Sequence, residues 1–239
     1  YMSWGYLSEQ VASYMYCVRF NNELVPIDNF NNMQDWYRFV RTYAPLSAYN
    51  QGSTLEYGVP TGFGGLRIYV ANKLSINTEI DFEATIQNYF NGVYGAAAPF
   101  VKQVFDEWRM LEAYNKATFS GYADLRSHWS SGMARNKDYC PKGQLTRWND
   151  LIDRAFAAIE PLKNTDAKQY AAVHKMIAVE RIWVNYILYT LYDGELWTAE
   201  KTQVRREILA DTTEAGTTEW AEGRSITLLT ESENFKQYL

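Results

Sequence analysis

The spacing of apolar positions changes character near residue 76. Beyond it, apolar residues recur every three or four positions, the period of one face of an α-helix. Asp81 can cap a helix through Phe82, Ile86, Tyr89 and Phe90, with Asn91-Gly92 as its expected stop. Pro99 opens the next, through Val101, Val104, Phe105, Trp108 and Leu111. A polar, glycine-containing stretch over 130–144 reads as a loop. Helix is predicted again over 145–162, on Leu145, Trp148, Leu151, Ile152, Ala155 and Ile159. The longest pattern, 166–192, keeps Tyr170, Val173, Ile177, Val184, Ile187, Leu188 and Leu191 on one face. A helix over 198–211 is charged outside, and in the polar tail one apolar patch, Ile226 to Leu229, is expected to dock as a short strand.

The first 75 residues are mixed. Residues 1–20 are rich in Tyr, Val and Phe and read as a strand with adjoining loop or as a short helix, a choice that so short an apolar run leaves open. Pro26, Asp28, Asn29, Asn31 and Asn32 form a breaker segment, from which Asn31 or Asn32 can cap a short helix through Met33, Trp36, Tyr37, Phe39 and Val40. Leu46 to Tyr49 is a strand candidate ending at Asn50-Gln51-Gly52. The loop from Gly52 to Gly65 holds five glycines and a proline, and Leu66, Tyr69, Val70, Lys73 and Leu74 then share a helical face. Strand, loop and helix suggest a βα unit, and a lone unit cannot bury both sheet faces. The expectation is therefore that more of the same protein lies upstream. The aromatic and apolar opening Tyr1-Met2-Ser3-Trp4 reads the same way, as the interior of a longer protein.

Composition narrows the function classes. Nineteen Tyr, eleven Phe and eight Trp make 16% of the 239 residues, and those rings either fill cores or form amphipathic surfaces of the kind that stack on sugar rings. The net charge of −5 comes with no basic run, so the electrostatic footprint of a nucleic-acid binder is missing. Cys17 and Cys140 belong to no CxxC or Cys/His cluster, which leaves no metal-ligand spacing, and they can pair only if the fold brings their Cα atoms within about 7 Å. No apolar run is long enough for a membrane-spanning helix, and no basic-then-apolar leader opens the chain.

The segment Asp81–Trp108 resembles a signature of the domain of unknown function 4838 family, common in Bacteroides-type bacteria. That signature is an acidic start, an amphipathic helix, then a Tyr-Gly pair, small residues and proline, here Tyr94-Gly95-Ala96-Ala97-Ala98-Pro99. Leu66–Leu74 is similar to the family's Leu-Arg-x-Tyr helix. Leu24-Val25-Pro26 and Gln51-Gly52 fall where it has Leu-Pro and Glu-Gln-Gly. The resemblance implies a distant relative of retaining hexosaminidase and α-glucuronidase barrels, secreted or surface-attached, near polysaccharide-degradation systems. By that analogy Tyr14–Phe20 and Leu46–Gln51 are late barrel strands. The fold expected is mainly α, the end of a (β/α) barrel with one or two strands (residues 1–75) followed by a C-terminal helical domain (76–239).

Glycosidases place two carboxyl groups around the scissile bond, at the C-terminal ends of barrel strands. Where the family shows Trp-Asp-Tyr and Glu-Gln-Gly, this chain has Tyr14-Met15-Tyr16 and Asn50-Gln51-Gly52, so both acidic positions are lost. No catalytic residue is assigned; Tyr16, Asn50, Gln51 and Tyr57 are the candidate carbohydrate-binding residues. Glu23 and Glu56 read as solvated loop carboxylates rather than cleft acids. Asp106-Glu107 reads as a polar helix face, and Glu180-Arg181 as a buried or a snorkelling surface pair. His174 reads as a hydrogen-bonded structural histidine, and His128 has no partner at ligand or triad spacing. Gly62–Gly65 lacks the spacing of a dinucleotide loop. The expected partner is a glycan, with no cofactor, no metal, no nucleic acid and an extracytoplasmic location. The alternatives are a non-catalytic glycan-binding protein and a helical structural or interaction domain.

Overall fold

The computed structural model describes residues 7–8, 10–20, 22–44, 46–51, 61–122, 132–221 and 224–227. Two short strands, β1 (Ala12–Tyr16) and β2 (Ser47–Gln51), pair in parallel, with Tyr14 opposite Tyr49, Met15 opposite Asn50 and Tyr16 opposite Gln51. Parallel neighbours require a crossover, which is made by α1 (Phe30–Tyr43). The open choice over residues 1–20 thus resolves to strand at 12–16, where burial alternates along the pleat. Ser13 is buried and Met15 packs on the core, while Tyr14 and Tyr16 are exposed. Helix α1 begins at Phe30, ahead of the Asn31 or Asn32 cap expected, because the Phe30 ring is itself buried, edge-on to Phe105 and Trp108.

The remaining described elements are almost all helical. α2 (Gly64–Ile76) buries Leu66, Val70 and Leu74. α3 (Phe82–Tyr94) is capped by Asp81, whose carboxylate accepts from the Ala84 N–H at 3.0 Å. It does not stop at Asn91-Gly92. It runs on to Tyr94 and ends at Gly95, which has φ 52°. Gly92 lies on the solvent side with open space where a Cβ would be, so it costs the helix only about 1 kcal/mol of propensity. One more turn buries Tyr94 completely against Phe90, centroids 5.6 Å apart, and that gain wins.

Pro99 sits in the first turn of α4 (Ala98–Thr118) as expected. α5 (Lys142–Ile159) and α6 (Ala167–Tyr192) follow, the latter capped by Asp166, which accepts from Gln169 N–H at 2.9 Å. α7 (Thr198–Ala215) ends at Gly216 with φ 71°, the left-handed stop that glycine makes easily. A small antiparallel pair, β3 (Glu219–Ala221) and β4 (Arg224–Ser225), closes the described chain. Ile226 is buried just after β4 with its N–H on Thr218 O; Leu228 and Leu229 lie outside the described residues.

One hydrophobic cluster runs from Leu24 to Ile226. At its centre Phe63 packs against Phe90, Phe105, Trp108 and Trp183, with Trp148 against Trp183. Rings this buried cost about 3–5 kcal/mol each when cut to alanine. Phe63 precedes α2 and Trp183 lies on α6, so the core is continuous from the strand-bearing segment into the helices. Cys17 and Cys140 are both buried and unpaired with each other. Among the described residues no helix is long and apolar enough to cross a membrane.

Candidate functional site

In parallel α/β arrangements the chain turns at the C-terminal ends of the strands frame the ligand site. Here the turn after β1 and the residues preceding α2 meet over α2 and enclose a cavity of about 110 Å³. Helix α2 supplies Gly64, Arg67, Ile68, Ala71 and Asn72, a stripe at helical spacing. This is a second face, distinct from the Leu66, Val70 and Leu74 face that enters the core. The strand ends and turns add Cys17, Arg19, Glu23, Asn50 and Thr61. Arg19, Glu23, Thr61 and Arg67 are buried at the inner wall, whereas Ile68 is 47% exposed and Asn72 is exposed, so the cavity opens between them.

Two buried guanidinium groups shape that wall. Arg67 donates from Nη1 to Cys17 O at 2.5 Å and from Nη2 to Gly62 O at 3.2 Å, stitching the end of β1 to the turn before α2. Its Nε is buried without a hydrogen-bond partner. Burial lowers its pKa to about 10, so it remains a cation at neutral pH. Arg19 donates from Nε to Pro26 O at 3.2 Å; burial lowers its pKa, and nearby Glu112, Tyr122 and Asp28 only partly offset that. Gly132, at φ 56°, lies flat on the Arg19 guanidinium. A Cβ there would come within 2.7 Å of Cζ, so glycine is required.

The turn before α2 is held from below. Gly62 and Phe63 both take positive φ, 57° and 60°, and a Cβ on Gly62 would sit 2.8 Å from Pro26 Cα. The Phe63 N–H donates to the Glu180 carboxylate on α6, at 3.1 Å to Oε2, and Trp183 Nε1 donates to the same oxygen at 3.0 Å. Desolvation pushes the Glu180 carboxyl up to about 8, against the lowering pull of those donors and of Arg67. Thr61 ties the same turn to the Glu23 and Leu24 carbonyls, at 3.2 Å each.

The residues expected from sequence divide between two faces of the strand pair. Asn50 points with Met15 toward the helices, donates to the hydroxyl of buried Tyr37 on α1, and reaches the cavity. Burial pushes that Tyr37 hydroxyl up to about 12. Tyr16 and Gln51 are register partners on the opposite, open face. There Tyr14, Tyr16 and Tyr49 are 46–55% exposed, with centroids of Tyr14 at 5.2 Å from Tyr16 and 4.7 Å from Tyr49. The Tyr14 hydroxyl donates to Gln51 Oε1 at 2.5 Å. Tyr57 and Glu56 lie outside the described residues.

Several charged residues differ from their sequence reading. Glu23, expected in solvent, is buried at 7% exposure because the turn after β1 folds back under Trp220, whose carbonyl accepts the Glu23 N–H. Glu180 and Arg181 do not pair; Arg181 instead grips Asp211, at 2.7 and 2.8 Å. His174 is a structural histidine, with Nδ1 2.8 Å from Glu214. Arg19 and Arg67 were missed altogether. Two signals pointed to Arg67: its place as the Arg of the Leu-Arg-x-Tyr helix, and the small and apolar stripe Gly64, Ile68 and Ala71 around it.

Among the described residues no group of three or more His, Cys, Asp or Glu is placed to hold a metal ion. No curated protein and no solved structure matches the chain. Residues 1–106, which carry both the tyrosine face and the cavity, match the model of the family described as domain of unknown function (DUF4838).

Proposed function

We propose that the strand pair is part of a glycoside-hydrolase-like (β/α) barrel and that its open face forms one wall of a glycan site. The observation that carries this reading is the group of exposed tyrosines, Tyr14, Tyr16 and Tyr49, beside Gln51 on the face turned away from the helices. A parallel pair bare on one face is normally completed by further strands. Stacked phenol rings with hydroxyl and amide edges suit a sugar, whose C–H face packs on a ring while its hydroxyls find partners. Neither strand offers a carboxylate where the family's acids fall, since Met15 and Asn50 stand there. Proton transfer would have to come from other strands, and this chain frames the sugar, in keeping with a protein that handles polysaccharide outside the cytoplasm.

Glycan-array screening of the chain, followed by titration of the best oligosaccharide, tests this reading. Binding is expected to fall by roughly tenfold or more for Tyr14→Ala and Tyr49→Ala, the loss of a stacked ring being worth about 1–2 kcal/mol. Both side chains are half exposed, so the fold should survive. No glycan binding, or binding indifferent to both substitutions, would remove the tyrosine face from consideration. The helical-interaction alternative has a separate readout, capture of a protein partner with no glycan dependence.

A further inference from the structure

The cavity beneath the strand ends is chemically unlike the tyrosine face. Its inner wall carries Arg67 and Arg19, 6% and 1% exposed, and Arg67 keeps a buried Nε–H with no acceptor. A buried donor on a cation is costly to leave unmet, and its natural complement is an anionic oxygen. Both terminal nitrogens of Arg67 are committed to carbonyls, which fixes the guanidinium plane and leaves it pre-organised. The nearest acid on the α6 side, Glu180, is already occupied by the Phe63 and Trp183 donors, and its raised pKa weakens it as a counter-ion near neutral pH. Asn50, Thr61 and Asn72 add neutral hydrogen-bonding groups to the lining.

We infer that this cavity is a carboxylate subsite, in which Arg67 receives the acid group of a ligand whose remainder lies over the exposed rim at Ile68 and Asn72. The volume of about 110 Å³ is well above the roughly 10–15 Å³ that one water needs in the same measure, so a carboxylate and part of the group that carries it can enter. The ligand therefore enters acid group first. Glu23 is the one acidic residue among the described lining, and it opposes an incoming anion. The inference goes beyond the tyrosine-face reading and does not depend on it, because the two surfaces are separated by the strand pair.

The test follows the side-chain Nε–H resonance of Arg67 by NMR, assigned with Arg67→Lys, while the chain is titrated with D-glucuronate, acetate or D-glucose. The Arg67 signal is expected to shift saturably with glucuronate and acetate and to stay still with glucose. Glu23→Gln should tighten glucuronate, and Ile68→Trp, which fills the mouth without touching the guanidinium, should weaken it roughly tenfold by obstructing entry. A purely structural arginine would show none of these responses. Absence of a saturable shift with both carboxylates, an equal response to glucose, or weaker binding in Glu23→Gln would overturn the assignment. Neutral-glycan binding that persists without any carboxylate response would sink this inference and leave the tyrosine face standing. The reverse pattern would do the opposite.

Discussion

Glutamine at position 180 would keep the shape of the side chain and most of its bonds while removing its ionisation. An amide oxygen in place of Oε2 can still accept from Phe63 N–H and Trp183 Nε1, and the amide nitrogen can donate to the Tyr94 hydroxyl, which now bonds the carboxyl. In the native chain the carboxyl sits at about 8 against an ordinary 4.5, raised by desolvation. The folded state therefore holds a proton that the unfolded chain releases between those two values. Stability contributed by the protonated form is fully present below pH 4.5 and is lost as pH rises through about 8. At about 1.4 kcal/mol per pH unit, the whole span is worth up to about 5 kcal/mol. Urea unfolding of both proteins from pH 5 to pH 9 isolates this group, because every other titration is common to the two and drops out of the difference. Glu180→Gln should match the parent near pH 5 and exceed it by several kcal/mol at pH 9. Parallel pH profiles would refute the reasoning, since they would mean that Arg67 and the two N–H donors keep the carboxylate ionised throughout.

Two glycines should respond in opposite directions to alanine. Gly62→Ala forces a Cβ to 2.8 Å from the Pro26 backbone at φ 57° and should lower stability by at least about 2 kcal/mol, read as a fall in denaturant midpoint. Gly92→Ala, with nothing within 4 Å and a helical backbone, should raise it by about 0.5–1 kcal/mol. Asp211→Ala strands Arg181, whose side chain is 16% exposed and whose next acid, Glu207, is 3.9 Å away. A loss of about 3 kcal/mol is expected, and a paired Arg181→Met, Asp211→Leu variant should recover most of it.

Much of the fold was legible where one signal dominated. Helices α3 to α7 announce themselves by apolar period, and Asp81 caps its helix as its position suggests. The βα unit is expected from strand, loop and helix in series, but the strand at 12–16 is open outside the family analogy and is fixed by its pairing with β2. Misreadings arose where the burial of a ring outweighed a local rule. Phe30 starts α1 early because Phe105 and Trp108 receive it, and Tyr94 carries α3 past Gly92 because Phe90 does. The site was harder. Tyr16, Asn50 and Gln51 were named from the family pattern, yet the pleat alone sends Asn50 to one side and Tyr16 with Gln51 to the other. Charge, in turn, reads as solvent in any linear pattern. Nothing adjacent in sequence shows that Arg19 and Glu23 are buried, whereas Glu180, within an apolar run of α6, reads as buried or surface with equal ease.

Those buried charges join the two halves of the chain alongside the shared core. Phe63 can hold its left-handed turn because Glu180, on a helix far along the sequence, accepts its N–H, and that turn in turn offers the Gly62 carbonyl to Arg67. Arg67 then fixes the end of β1 through Cys17 O. The strand ends that frame the cavity are therefore positioned by α6 as much as by their own sheet, which has only one partner strand each among the described residues. If Glu180 gains or loses its proton, the first groups to feel it are the turn at Phe63 and the guanidinium behind the cavity. A change in pH across the window set by Glu180 should thus alter anion binding at Arg67 as well as stability, and Glu180→Gln should remove both responses together.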